Sequence, residues 1–94
     1  MKVRYSKAFI KSAKRLSGKN LQSLRSVILE VMRCRRVEEI SDCKRLVGYS
    51  NVYRIRIGDY RAFFTLHIEV VDGVAFFHYL VPRGQACTKK VERN

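Results

Sequence analysis

The chain has 94 residues, and its 20 lysines and arginines against 8 acidic residues give a net charge of +12. That length suits one domain and is too short for two, while 47% apolar residues exclude a largely disordered chain. No run approaches the roughly 18 apolar residues of a membrane span. The charge therefore points to a polyanion: nucleic acid, a ribonucleoprotein, an anionic membrane surface or an acidic protein.

Three cysteines, Cys34, Cys43 and Cys87, are odd in number and widely spaced. There is no Cys-x-x-Cys and no Cys/His cluster in sequence, so a zinc ribbon is not expected. No Gly-rich phosphate loop is present either, and neither a metal nor a cofactor is expected. Free thiols fit a reducing cytoplasm. No apolar signal segment follows the first residues, so a cytoplasmic location is expected.

Lys2 to Tyr5 is short, alternating and capable of a strand. Ser6 suits a helix N-cap. Phe9, Ala13 and Leu16 then recur at helical spacing, and Gly18 is a natural stop. Asn20 is a second N-cap candidate, followed by an apolar stripe of Leu21, Leu24, Ile28 and Val31 that Val27 and Met32 widen. The short join predicts an antiparallel helix hairpin. Arg33, Arg35 and Arg36 fall at the helix end, where cations suit the dipole. Val37 to Asp42 reads as a loop or helical turn, and Lys44 to Val47 as a short strand ended by Gly48.

Residues 52–83 carry the clearest pattern. Tyr53 to Ile57 alternate apolar and basic residues, as in a half-buried strand. Gly58-Asp59 suits a type II′ turn and Asp72-Gly73 a type I′ turn, which together predict a three-stranded meander. The first turn sets Arg56 opposite Arg61 and Arg54 opposite Phe63. Cross-strand partners project to one face, so Arg54, Arg56 and Arg61 share a face. Tyr53, Ile55, Ile57, Tyr60, Ala62, Phe64, Leu66 and Ile68 share the other, which reads as core. The second turn pairs Leu66 with Tyr79 and His67 with His78, placing both histidines on the arginine face if no bulge intervenes. Arg83 follows Pro82, where the last strand must stop or lie on an edge.

The fold class is α+β: an N-terminal strand, an antiparallel helix hairpin, then a three- to four-stranded antiparallel meander, with the helices on one sheet face. The domain spans residues 1–94, with a core of about 1–84 and a polar tail over 85–94.

Like charges directly opposite in a ladder are destabilising. Three arginines so placed, with Arg83 at the strand end, point to an anion site. Phosphodiester chemistry needs positive charge where negative charge develops and groups that move protons. Arginine supplies the first and, with a pKa above about 12, hardly the second. The general base is not visible in the sequence. The two histidines lack a third ligand for a metal and read better as a cross-strand polar pair. Glu69 reads as a solvated strand-end carboxylate.

Leu46, the run Val52-Tyr53-Arg54-Ile55-Arg56-Ile57-Gly58-Asp59-Tyr60-Arg61, the aromatic strand after it, and Leu80-Val81-Pro82-Arg83-Gly84-Gln85 resemble the RelE/ParE toxin superfamily of bacterial toxin–antitoxin systems. The RelE branch is most similar. The resemblance implies a RelE-like fold and a ribosome-dependent endoribonuclease that cuts messenger RNA in the ribosomal A site. It implies a small acidic antitoxin as partner, with operator DNA bound through the antitoxin complex. It maps Arg54, Arg56, Arg61 and Arg83 onto the family's basic catalytic positions, and assigns His78, Tyr79 and Cys87 to RNA contact. Two positions depart from the pattern. A tyrosine that helps hold the RNA base is here Cys87, and a thiol cannot stack a base as a ring does. The glycine and basic residue usual before the last arginine are here Val81-Pro82.

Three functions remain open at this point: the ribosome-dependent nuclease, a ParE-like DNA gyrase inhibitor on the same fold, and a catalytically weakened module that binds nucleic acid or antitoxin. Cys87 motivates the third.

Overall fold

A computed structural model of the chain describes residues 1–68 and 73–86. Its elements are β1 (Lys2–Tyr5), α1 (Lys7–Ala13), α2 (Gly18–Arg33), a 3-10 turn (Val37–Glu39), β2 (Cys43–Arg45), β3 (Val52–Ile57), β4 (Tyr60–Ile68), β5 (Gly73–Pro82) and α3 (Arg83–Ala86). The five strands form one sheet in the order β1-β5-β4-β3-β2. Strands β2 to β5 pair antiparallel, and β1 runs parallel to β5. The α+β expectation holds. The placement of β1 beside β5, making the sheet mixed, is added by the structure.

Ser6 caps α1 as expected: its Oγ accepts the Phe9 N–H at 3.0 Å. The same oxygen donates to the His78 carbonyl at 2.6 Å, and the Ser6 N–H donates to the Phe77 carbonyl at 2.9 Å. One residue thus starts the helix and ties it to β5. The next junction differs from expectation. Gly18 begins α2 instead of ending α1, and Ser17 is the N-cap. The chain already turns at Leu16, whose N–H bonds back to Ala13. Asn20 lies inside the helix, and its side chain accepts the Asp59 N–H at 3.0 Å. The short strand is Cys43–Arg45, one residue earlier than its pattern suggests, because Lys44 pairs with Arg54 and Val47 is already almost fully exposed.

The core lies between the helices and one sheet face. Phe9, Leu16, Leu24 and Val31 meet Ile55, Ile57, Ala62, Phe64, Ala75, Phe77 and Leu80. The Phe9 and Phe77 rings are 5.3 Å apart, and those of Phe64 and Phe77 4.9 Å apart. Both are ordinary separations for favourable aromatic pairs. The expected core residues of β3 and β4 occupy this face, with Tyr53, Tyr60 and Leu66 at its margin; the side chain of Ile68 lies outside the described residues. An apolar groove of about 600 Å³ remains open between α1 and α2. Phe9, Ile10, Leu21, Leu24, Ile28 and Leu29 line it, with exposed Lys14 and Arg25. Among the described residues, no helix is long and apolar enough to cross a membrane.

The first hairpin has the expected register: Arg56 pairs with Arg61, Arg54 with Phe63, and Ile57 with Tyr60. Gly58 takes φ +58 while Asp59 stays at negative φ, as a type II′ turn requires. A Cβ on Gly58 would come within 2.5 Å of Asn20 Oδ1, so α2 closes against the turn. The second hairpin corrects the sequence reading. Leu66 pairs with Ala75 and His67 with Val74, not with Tyr79 and His78. Gly73 pairs with Ile68, so it belongs to the ladder and a two-residue Asp72-Gly73 loop is excluded. Residues 69–72, with Asp72 of that turn and Glu69, lie outside the described residues.

A β-bulge falls between the pairs Phe63–Tyr79 and Phe64–Phe77. One extra residue in β5 sends two consecutive side chains away from the core. Ala75, Phe77 and Leu80 are buried, and His78 and Tyr79 both leave the core face. The bulge is held by Ser6, whose N–H and hydroxyl satisfy the carbonyls of Phe77 and His78.

Candidate functional site

Side-chain alternation sends every second residue of β3 and β4 away from the helices. This second face carries Arg54 and Arg56 of β3, then Arg61, Phe63, Thr65 and His67 of β4. Arg56 and Arg61 stand directly opposite each other. Arg83 joins them by a backbone route: its N–H donates to the Asp59 carbonyl at 2.9 Å, tying the start of α3 to the β3–β4 turn. Asp59 thus links α2, through Asn20, and α3 at the end of the sheet where Arg56 and Arg61 lie. Arg54, Arg56 and Arg61 therefore share one face of the sheet, and the backbone of Arg83 is held at the end of the sheet where Arg56 and Arg61 lie.

Arg54 and Arg61 are half-buried, whereas Arg56 and Arg83 are exposed. Among the described residues, none of the four side chains forms an ion pair, and the Nε of Arg61 is buried without a hydrogen-bond partner. Buried donors are normally satisfied. An unmatched N–H beside a second guanidinium is what an anion would complete.

Both histidines lie on this face despite the shifted register. Thr65 stands between them: its Oγ1 is 2.9 Å from His67 Nε2 and 2.9 Å from His78 Nε2. The polar pair read from the sequence is thus bridged by a hydroxyl instead of facing across a rung. Phe76 stacks on His78 at 4.7 Å. Burial, then the neighbouring His67, pushes the His78 imidazole below its ordinary value of 6.5. Tyr79, expected on the core face from a pairing with Leu66, is instead 55% exposed beside His78. Cys87 lies outside the described residues.

The structure adds residues that the sequence reading missed. Lys44 faces Arg54 from β2, while Lys2 and Arg4 of β1 pair with Val74 and Phe76. Basic side chains therefore border the face on both edge strands, with Phe63, Phe76, His78 and Tyr79 between them. Nothing local in the first residues announces where β1 will pair. The bulge did leave a trace in the sequence: His78 and Tyr79, two consecutive residues with polar tips, interrupt the apolar spacing between Phe77 and Leu80. Among the described residues, no group of three or more His, Cys, Asp or Glu could hold a metal. Cys43 is no nucleophile, because burial and Glu30 push its thiol up to about 12.

Known proteins share this architecture. No family model matches the sequence. Toxin RelE3 of Methanocaldococcus jannaschii is 32% identical over 84 residues, which span 88% of this chain and 91% of that protein. The isolated RelE toxin of E. coli superposes with a TM-score of 0.69 at 21% identity, over 98% of this chain and 96% of that one. The toxin's fold in a RelB–RelE antitoxin–toxin complex from Methanococcus jannaschii superposes with a TM-score of 0.67 at 24% identity, over 88% of this chain and 93% of that one. The two structures agree in fold, and the identity to RelE3 over nearly the full length of both chains establishes kinship: this chain belongs to the RelE toxin family, as a RelE-type toxin of a toxin–antitoxin system.

Proposed function

We propose that this toxin is a ribosome-dependent endoribonuclease that cleaves messenger RNA on the open, basic face of its sheet. Four arginines with no acidic partner among the described residues, one of them with a buried unmatched Nε–H, are the observation that carries this reading. Arg61 and Arg83 clamp the scissile phosphate, and Arg54 and Arg56 stabilise the charge that develops around it. Phe76, His78 and Tyr79 offer rings on which unstacked bases can lie, with Cys87 at the family's tyrosine position. Lys2, Arg4 and Lys44 extend the phosphate track to the sheet edges.

A small acidic antitoxin is the proposed partner, and the pair would act on operator DNA in the cytoplasm. The groove between α1 and α2 supports this: it is apolar, and its charged lining residues, Lys14 and Arg25, are both cationic. An amphipathic helix with acidic flanks fits such a groove.

Induction of the chain, with reads of messenger RNA ends on purified ribosomes, tests the nuclease. The expected result is cleavage within codons, reduced about 10²–10³-fold by Arg61→Ala or Arg83→Ala, the effect of losing one preorganised donor. Arg25→Ala, on the helical side, should leave cleavage unchanged. Intact messenger RNA in arrested cells, together with DNA breaks and an SOS response, would replace the nuclease with a gyrase inhibitor.

A further inference from the structure

The arginines cannot serve as the base that RNA cleavage requires, and the geometry points to His78 as that base. This assignment rests on the nuclease reading and adds to it a catalytic residue with a defined nitrogen.

The argument starts from one hydroxyl. Thr65 Oγ1 lies 2.9 Å from the Nε2 of both His67 and His78. A hydroxyl has one proton to donate and lone pairs to accept with. It can donate to only one of two imidazoles, so the other must donate its Nε2–H to the oxygen. A neutral ring protonated on Nε2 carries its lone pair on Nδ1, the nitrogen turned away from Thr65. At least one of the two rings therefore presents a basic Nδ1.

Three observations favour His78 for that role. Its ring is half-buried and stacked on Phe76 at 4.7 Å, so its orientation is fixed, while His67 is exposed. Its carbonyl is anchored by Ser6, which holds the bulge that aims the side chain at this face. The charged and titratable groups facing it are cationic or neutral: His67 from β4, Tyr79 from β5, Arg4 of β1 beyond Phe76, and Arg54 of β3 beyond Phe63. They and burial favour the neutral ring. Thr65 stands two residues from Phe63, the rung of Arg54, about 7 Å along the strand. The rung of Arg54, which flanks the scissile phosphate, is thus next to the rung of Thr65 and Phe76, the ring on which His78 stacks.

In the proposed step, His78 Nδ1 takes the proton of the ribose 2′-hydroxyl. The 2′-oxygen forms a bond to phosphorus, and the bond from phosphorus to the 5′-oxygen breaks with its electron pair on that oxygen. The 5′-oxygen takes a proton from water. The imidazolium of His78 then loses that Nδ1 proton to solvent, which restores the neutral ring protonated on Nε2 and hydrogen-bonded to Thr65. The products are a 2′,3′-cyclic phosphate and a 5′-hydroxyl, and the net charge is unchanged.

The test is single-turnover cleavage of a defined message on ribosomes, measured from pH 5 to 9 with the full-length chain. His78→Gln should slow cleavage about 10²–10³-fold, the scale of one acid–base group, and should remove the acidic limb of the profile. Ribosome affinity should fall far less than the cleavage rate, and the chain should remain folded. Thr65→Val should also slow the reaction, and Thr65→Ser should restore most of that loss. His67→Gln should move the acidic limb to higher pH, because His67 holds the pKa of His78 down. Nitrogen-15 shifts of His78 should show protonation on Nε2 in the neutral ring. Cleavage by His78→Gln at the wild-type rate with the same limb, or a ring protonated on Nδ1, would overturn the assignment while leaving the nuclease standing. No cleavage by the wild-type chain would sink the nuclease and this step together.

Discussion

One sheet carries two faces built from the same strands, and they obey opposite rules. The helix-covered face is apolar and close-packed: Ile55, Ile57, Ala62, Phe64, Ala75 and Phe77 are fully buried. The open face sets Arg56 against Arg61 and leaves a buried Nε–H of Arg61 unmatched. The first arrangement maximises burial and dispersion, which dominate folding. The second raises the energy of the fold locally, and what makes it intelligible is a ligand that brings the missing negative charge. Stability therefore resides on one side of the sheet and the candidate chemistry on the other, a few ångströms apart through the backbone.

Phe77→Ala breaks this contrast most severely. Phe77 is fully buried and touches Phe9, Tyr5 and Phe64 at ring separations of 5.3, 6.3 and 4.9 Å. Truncating a buried phenylalanine costs about 3–5 kcal/mol, a large share of the 5–15 kcal/mol that holds a typical small domain folded. Urea denaturation should show the loss directly. A cost below about 1 kcal/mol would mean that the helices do not depend on this face.

Gly58→Ala attacks the joint between the two sides. The turn holds φ +58 at Gly58, and an added Cβ would meet Asn20 Oδ1 at 2.5 Å. A left-handed backbone costs a non-glycine residue about 1–2 kcal/mol, and moving Asn20 also threatens its bond to Asp59. We expect a loss of about 2 kcal/mol in chemical denaturation, with weaker RNA binding because Arg56 and Arg61 flank the turn. Asn20→Ala in the Gly58→Ala background should recover part of the loss by removing the clash.

The two hairpins explain how much of this was legible. In β3–β4 the turn residues state the register: Gly58-Asp59 fixes which residues pair, and alternation then gives both faces and three of the four arginines. In β4–β5 the Asp72-Gly73 pair resembles a turn, yet Gly73 lies within the ladder, paired with Ile68. The four-residue shift is even, so each β4 side chain keeps its face even though its partner changes. The bulge then adds one residue to β5, which cuts the shift from four residues to three and moves Tyr79 from the core to the open face. What fixes that bulge is Ser6, 72 positions away in sequence. Long-range hydrogen bonds of this kind leave no periodic trace. The same holds for Lys2 and Arg4, whose place beside the site depends on the parallel pairing of β1 with β5.

Ser6→Ala sharpens this point with a smaller effect. It removes the cap bond to Phe9 and the bond to the His78 carbonyl together. Loss of an N-cap costs about 0.5–2 kcal/mol, and a hydrogen bond about 0.5–1.5 kcal/mol, so roughly 1–3 kcal/mol is expected. A cap alone would destabilise α1 and leave β5 unchanged. The prediction is that amide exchange quickens in α1 and at residues 77–79 alike. Faster exchange confined to α1 would show that Ser6 does not hold the bulge.

The smallest effect has the opposite sign. Arg56→Gln should stabilise the fold, since it removes one of two like charges directly opposed on adjacent strands. Cross-strand charge pairs are worth roughly 0.2–1 kcal/mol, so a gain of a few tenths of a kcal/mol at low salt is expected. Salt supplies the control. The screening length falls from about 10 Å at 0.1 M to about 3 Å at 1 M, and opposed side chains start only about 5 Å apart at Cβ. The gain should therefore shrink as salt rises, while a gain from better strand propensity would persist. The same substitution should weaken RNA binding and lower the salt dependence of that binding, because one phosphate contact is lost. A variant that is more stable, binds less RNA and loses both differences in high salt would show that Arg56 is kept for its charge. If Arg56→Gln instead destabilised the chain at every salt concentration, the opposed arginines would be a packing feature, and the open face would lose its strongest claim to be a site.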